Sequence, residues 1–205
     1  MTDSARVLPA VVVAGGLSRR MGGPEKALME LGGQSLLGRV VDRLAPQAAP
    51  LALNANGDPG RFAAFGLPVI ADSVPGRPGP LAGILAAMDW AAGIGAERVV
   101  TVASDTPFFP HDLVARLAGA AQDAAIVLAA AGHPERGPMR HPLFGLWPVD
   151  LRARLRADIA GGARRVGQWA GDAGCIIAHF PAESDDPFFN INTPDDLAVA
   201  QLRLR

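Results

Sequence analysis

The chain has 205 residues, 49% of them hydrophobic and 19% charged, with a net charge of −1. That length suits one domain able to bury roughly 70% of the surface its unfolded form exposes. The near-neutral charge excludes a global pull toward nucleic acid or an anionic membrane, and the single cysteine, Cys175, excludes an intrachain disulfide framework.

At the N-terminus Asp3 comes early and the apolar run is short, which is not the layout of a secretory signal. No apolar stretch reaches the roughly 18 residues of a membrane span, so the expected setting is the cytoplasm. The first strand is predicted at 10–14 (AVVVA). A helix follows over 35–45, where Leu36, Leu37, Val40, Val41 and Leu44 fall on one face. Strands are expected at 51–54 and 67–71, then a helix over 80–92 opened by Gly79-Pro80, a proline at a natural first position. Next come a strand at 98–103, a helix at 111–121, and strands at 125–130, 143–147 and 175–180. A last helix over 194–203 has Thr193 as its cap. The strand segments are apolar without alternation, as in strands buried on both faces of a sheet. Strand–helix alternation of this kind predicts an α/β fold, three layers around a mostly parallel sheet. With no repeat, low-complexity tract or linker, residues 1–205 read as one domain.

The segment VVVAGGLSRRMGGPEKALMEL at 11–31 breaks from a buried strand into glycines and positive charges. In an open α/β sheet ligands bind beyond the carboxyl ends of strands. Glycines there let backbone N–H groups approach phosphate oxygens, and Arg and Lys supply the countercharge. Two common phosphate loops do not fit. Gly15-Gly16-Leu17 breaks the dinucleotide fingerprint, and Lys26 stands between Glu25 and Ala27 rather than in Gly-Lys-Ser/Thr. Lys26 is the only lysine beside eighteen arginines, a compact ammonium in a chain that otherwise uses planar guanidinium.

Further polar residues gather at strand ends. Asp105 closes the strand at 98–103 ahead of Thr106-Pro107 and could equally cap the turn before the next helix. Asn54 and Asp72 also sit at strand ends, where both types are ordinary turn formers. Gly79 and Gly83 flank a helix start, suiting close ligand approach or tight packing alike. Asn190 and Asn192 share one face of an extended segment. Arg164 and Arg165 read as solvated helix charges or anion binders. His133, His141 and His179 lack metal-ligand spacing. Cys175 reads as core.

AGGLSRRMGGPEKALMEL resembles the G-G-x-S-x-R-M-G-x-x-K motif of nucleotidyltransferases that activate cofactors and sugars. NAN at 54–56, DS at 72–73, GPLAGI at 79–84, SDTPF at 104–108, RHPLFGLW at 140–147, ARRVGQW at 163–169 and NINTPDDL at 190–197 narrow it. In this order and over nearly the full length, they resemble the molybdenum cofactor guanylyltransferases, the MobA family. The departures are Gly57, where the family often has a basic residue, and Ala103-Ser104, where it often has Pro-Cys. The resemblance implies a Rossmann-like nucleotidyltransferase fold, nucleotide held by the N-terminal half and molybdopterin by the C-terminal half. It implies transfer of GMP from GTP to the phosphate of molybdopterin, with Mg²⁺ required and pyrophosphate released. By the same resemblance Arg20 and Lys26 hold the triphosphate, and Val13, Ala14, Gly15 and Gly16 contact the nucleotide. Asn54, Asp72 and Gly79 do so too, while Asp105 ligates Mg²⁺ and contacts nucleotide. Asn190, Asn192 and Arg165 face the pterin substrate.

Guanine offers N1–H and its 2-amino group side by side, a pair that a carboxylate or carbonyls accept together. The candidate acceptors are Asp72, Asn54 and the carbonyls from Val13 to Gly15. Two other readings stay open: a sister enzyme using CTP on the pterin or another nucleotide on a phosphosugar, and a non-catalytic nucleotide-binding partner of the pathway. Cofactor-biosynthesis proteins and molybdoenzyme chaperones are the expected transient partners.

Overall fold

The computed structural model describes residues 7–14, 26–76, 79–121, 126–133, 137–181 and 186–204. Its centre is a seven-stranded sheet of strands β1 (Ala10–Val13), β4 (Leu51–Asn54), β5 (Val69–Ile70), β6 (Arg98–Ala103), β7 (Val127–His133), β8 (Gly137–Pro148) and β9 (Ile176–Phe180). The order across it is β5-β4-β1-β6-β8-β7-β9. Only β8 runs against the others, pairing antiparallel with β6 on one side and β7 on the other. A two-stranded ribbon, β2 (Glu30–Leu31) and β3 (Gln34–Ser35), turns through Gly32 and Gly33, both at positive φ.

All seven predicted strands of the sheet are present. The buried AVVV of β1 lies between β4 and β6, as its unbroken apolar run requires. β8 is the main extension beyond the sequence reading, twelve residues where five were expected. Its first half, GPMRHP, carries two prolines. The ladder to β7 jumps from Leu128 opposite Gly145 to Ala129 opposite His141, so Pro142 falls in the irregular stretch where no ladder hydrogen bond is demanded of it.

Helices cover both faces. On one side α1 (Leu36–Leu44) and α3 (Leu113–Ala120) pack with Phe109, Phe144 and Phe188 against alternate residues of the sheet. Ser35 caps α1, its hydroxyl accepting from the Gly38 N–H at 3.0 Å. On the other side lie α2 (Pro80–Gly93), α4 (Arg152–Ala160) and α5 (Val166–Asp172), around Trp147 and Trp169. α2 is buried almost all round because it is covered by the sheet on one flank and α4 on the other. α6 (Pro194–Leu202) closes a third cluster with Leu31, Leu36 and Ile191. The predicted Thr193 cap is a full capping box: Asp196 N–H donates to the Thr193 hydroxyl, and the Asp196 carboxylate accepts from Thr193 N–H. Among the described residues no helix is long and apolar enough to cross a membrane.

The register aligns the sheet's carboxyl edge. Val13 lies opposite Asn54 on one side and Ala103 on the other, and Asn54 lies opposite Ile70. The chain passes from β1 outward to β4 and β5, then returns to place β6 on the opposite flank of β1. That reversal is a topological switch point, where loops leaving neighbouring strands diverge and open a crevice. Asp72 and Asp105 each follow their strand by two residues and stand on this edge.

One packing contact at the edge is testable. A Cβ on Gly83 would lie 2.6 Å from Asn54 Oδ1 and 2.8 Å from Val13 Cγ1. Asn54 is fully buried and its amide is pinned by hydrogen bonds, so it has no room to yield. Gly→Ala in an open helix stabilises by ~1 kcal/mol. Here Gly83→Ala is expected instead to destabilise by about 1–3 kcal/mol through overpacking, read as a lower urea midpoint.

Candidate active site

Lys26 opens a short 3₁₀ turn, Lys26–Leu28, whose Ala27 is buried in the core. Its ammonium reaches away from that turn to three oxygens carried by distant parts of the chain. Nζ donates to Asp105 Oδ2 at 2.5 Å, to Asn192 Oδ1 at 2.6 Å and to Asn190 Oδ1 at 3.4 Å. The Lys26 and Asp105 side chains are 17% and 20% exposed, so their charges meet largely out of water. A point ammonium satisfies this arrangement because one nitrogen carries three donors; a guanidinium spreads its donors over a plane.

The backbone explains the convergence. Asp105 stands where β6 ends, and its carbonyl accepts from the Ile191 N–H at 2.9 Å, tying the C-terminal segment to the strand edge. Ile191 points into the core and is fully buried, so Asn190 and Asn192 on either side of it turn together toward Lys26. The Asn192 N–H donates to Asp196 Oδ2 at 2.9 Å, which anchors the segment to the start of α6. Burial pushes the Asp196 carboxyl up. Hydrogen bonds from Asn192 and Thr193, with the nearby Lys26 charge, outweigh it and hold the group below the usual carboxylate range.

A second polar cluster lies at the ends of β4 and β5. Asn54 Nδ2 donates to the Ile70 carbonyl and to Asp72 Oδ1, both at 3.1 Å. Asn56 Nδ2 donates to Asp72 Oδ2 at 2.8 Å, and the Asp72 N–H returns a bond to Asn56 Oδ1 at 3.0 Å. Asn54 Oδ1 is buried and has no hydrogen-bond partner among the described residues. Gly79 caps α2 at φ 89°, a conformation that favours glycine, and Pro80 takes the first helical position.

Lys26, Asp105, Asn190 and Asn192 are thus brought together, and Asn54 joins Asp72. Val13 and Ala14 lie on the same edge, the Ala14 N–H bonding the Asn54 carbonyl at 2.8 Å. Gly15, Gly16 and Arg20 lie outside the described residues. Arg165 takes no part in the Lys26 cluster; it is exposed at the cap of α5 and lines a hollow of about 520 Å³ with Arg154, Arg164 and Gln168. Arg164 bonds the Ile159 and Ala163 carbonyls, closing the end of α4. Cys175 is only half-buried, packed beside the α2 cluster. Beside Gly57, at φ 91°, a guanidinium nitrogen of Arg61 lies 3.3 Å from where a Cβ would start, so a cation stands there although residue 57 has no side chain. Sequence reasoning did not single out Asn56 or Asp196. The N-x-N spacing in an extended chain and the T-x-x-D capping box were the signals available for them.

His141 stacks on Phe188 with ring centroids 4.4 Å apart. Burial lowers its pKa from the ordinary 6.5, with the Asp186 charge pulling weakly the other way. The unfolded chain therefore takes up this proton first, and stability is complete above pH ~6.5 and falls as pH drops below it. His141→Phe is expected to lessen that acid-side loss, seen by comparing urea midpoints near pH 7 and pH 5.5 for both proteins.

The model of the MobA-like NTP transferase domain matches residues 10–173. The molybdenum cofactor guanylyltransferase of Rhodopseudomonas palustris (strain BisB5) is 52% identical over 196 residues, covering 94% of this chain and 92% of its own. That of Bradyrhizobium sp. (strain ORS 278) is 49% identical over 207 residues, covering 98% and 95%. The crystal structure of molybdopterin-guanine dinucleotide biosynthesis protein A from Archaeoglobus fulgidus shares the fold, with a TM-score of 0.71 at 24% identity over 96% of this chain and 98% of that one. Family model, near-full-length relatives and a nucleotidyltransferase sheet agree, and the chain belongs to the molybdenum cofactor guanylyltransferase family of MobA-like NTP transferases.

Proposed function

We propose that this protein joins GMP from GTP to the phosphate of molybdopterin, forming the guanine dinucleotide cofactor and releasing pyrophosphate. The observation that carries the reading is the meeting of Lys26, Asp105, Asn190 and Asn192 at one point on the switch-point edge. An oxygen of the acceptor phosphate forms a bond to the α-phosphorus of GTP as the bridging α–β P–O bond breaks, and the electron pair leaves on pyrophosphate. Such a transfer asks the protein chiefly to position phosphates and neutralise charge.

Each residue has a task in that scheme. Backbone groups from Val13 to Gly16 contact the nucleotide, and the α2 N-terminus at Gly79 offers it N–H groups. Arg20 and Lys26 take the triphosphate; Lys26 leaves its present oxygen partners for phosphate oxygens and balances charge on the leaving pyrophosphate. Asn190 and Asn192, released from the ammonium, turn their amides to molybdopterin, with Arg165 near its phosphate. Asp72 accepts the paired donors of guanine, with Asn54 beneath it. One domain serves both substrates, its N-terminal half nucleotide and its C-terminal half pterin. The setting is the cytoplasm, with transient contact to cofactor-biosynthesis proteins and molybdoenzyme chaperones.

Enzymes of this family generally use a divalent metal. The donors around Lys26 suit a hard ion: a carboxylate and two amide oxygens, already converging on one positive centre. Among the described residues no three His, Cys, Asp or Glu side chains gather, which fits an ion completed by substrate phosphates. We assign Mg²⁺, held by Asp105; when bound it supplies countercharge to the phosphate oxygens.

The test is a panel of GTP, CTP, ATP and UTP with Mg²⁺, following pyrophosphate with and without molybdopterin. Release that needs both GTP and molybdopterin is the expected result. Equal turnover with CTP replaces the guanylyl reading by a cytidylyl one.

A further inference from the structure

The base-side cluster contains a residue with no role in the reading above. Asn56 is joined to Asp72 twice, its amide donating to Oδ2 at 2.8 Å and its Oδ1 accepting the Asp72 N–H at 3.0 Å. Its own main chain is fixed in turn, the Asn56 carbonyl accepting from Arg61 at 2.6 Å. Asn54, the other asparagine of the N-x-N pair, donates to the second carboxylate oxygen at 3.1 Å. The Asp72 carboxylate therefore cannot rotate about its last torsion without breaking one amide bond or the other.

Asn54 is held in one amide orientation to achieve this. Its Oδ1 is buried with no partner among the described residues, while both hydrogen bonds of its Nδ2 are kept. Turning the amide over would aim an oxygen at a carboxylate oxygen, so the orientation seen is the one that keeps a donor on Asp72. A carboxylate has about four lone-pair positions, and two amides use two of them, one on each oxygen. What remains is one acceptor site on each oxygen of a plane held in place.

We propose that Asn56 is a positioning residue for base selection, fixing the plane of the Asp72 carboxylate so that its two oxygens accept two adjacent N–H donors of a purine edge together. This rests on Asp72 being the group that reads the base. It divides the labour: Asp72 touches the base, while Asn56, one step back, sets the angle at which Asp72 waits. A carboxylate free to swing accepts one donor as well as two, and a purine with a single donor then competes with guanine.

The discriminating pair is GTP and inosine triphosphate, which differ by the 2-amino group alone. Binding of each is measured by calorimetry, without acceptor, on the full-length protein and on Asn56→Ala and Asp72→Ala. The unmodified protein is expected to prefer GTP by about tenfold, the worth of one well-placed buried hydrogen bond. In Asn56→Ala the preference shrinks to about threefold or less, while affinity for inosine triphosphate changes little. A structural role alone weakens both nucleotides equally, so an unchanged ratio in Asn56→Ala overturns the proposal. If Asp72→Ala loses the preference and Asn56→Ala keeps it, this inference fails and the reading of Asp72 stands. If Asp72→Ala keeps the preference, or the unmodified protein has none, both fall. Asn56→Ser, which preserves a polar side chain but cannot span to the carboxylate and the N–H together, replaces the alanine variant should that one not fold.

Discussion

Lys26→Arg is expected to lower turnover by about 10²-fold or more, the scale seen when one charge-stabilising group is lost from a transfer site, while the fold persists. Charge is conserved in this change, so the loss isolates geometry. The ammonium meets Asp105, Asn190 and Asn192 at a single nitrogen. A guanidinium is longer and planar and cannot put three donors on those oxygens at once. The fold is spared because Lys26 sits at the start of a short turn, and the neighbouring Ala27 makes the core contact. Pyrophosphate release with GTP and molybdopterin gives the rate, and a thermal melt gives the stability. Near-normal turnover in Lys26→Arg shows that any cation suffices and that the lone lysine is a matter of composition.

Asp105→Ala is expected to lower turnover by about 10²–10³-fold, from loss of the carboxylate that balances cationic charge at the reacting phosphates. Its thermal shift is expected to be small beside that. Lys26 keeps the two asparagine oxygens, and the backbone carbonyl of residue 105, which binds Ile191, is untouched by the substitution. Excess metal partly restores the rate if the remaining oxygens still form a site. An Asp105→Ala enzyme with unchanged rate and unchanged magnesium dependence returns the residue to a turn-forming role.

The strands of the central sheet were legible because a strand covered on both faces has no polar alternation to confuse with anything else. β1 and β6 are the clearest, short apolar runs that end where the charged loops begin. α4 and α5 were not read. RARLRADIA buries only Leu155 and Ile159, four apart, and its arginines and the following Gly161-Gly162 look like loop. The place of β8 between β6 and β7 was also invisible, since strand order depends on pairings far apart in sequence. The candidate site divides in the same way. Lys26, Asp105, Asn190 and Asn192 each stood out locally, as a lone lysine, a strand-end carboxylate and a period-two pair. Their meeting did not, because it joins residues up to 166 positions apart. Asn54 was marked as a nucleotide contact from its place at a strand end; its side chain is fully buried and its amide is turned to Asp72. Burial of that kind follows from the packing of Gly83 over it, which only the tertiary structure reveals.

The solitary lysine also makes the protein its own reporter. Amine-directed acylating reagents find one side-chain ammonium in the chain, and it is the one at the Asp105 cluster. Its Nζ lies 2.5 Å from Asp105 Oδ2, on a side chain that is only 17% exposed. Partly covered in this way, Lys26 is labelled in competition with the terminal amine of the same molecule, which serves as an internal standard. Anything that draws the ammonium out of that pair, or covers it, alters the ratio of the two labelled peptides, so occupancy of the site can be followed by mass spectrometry without turnover and without an added probe.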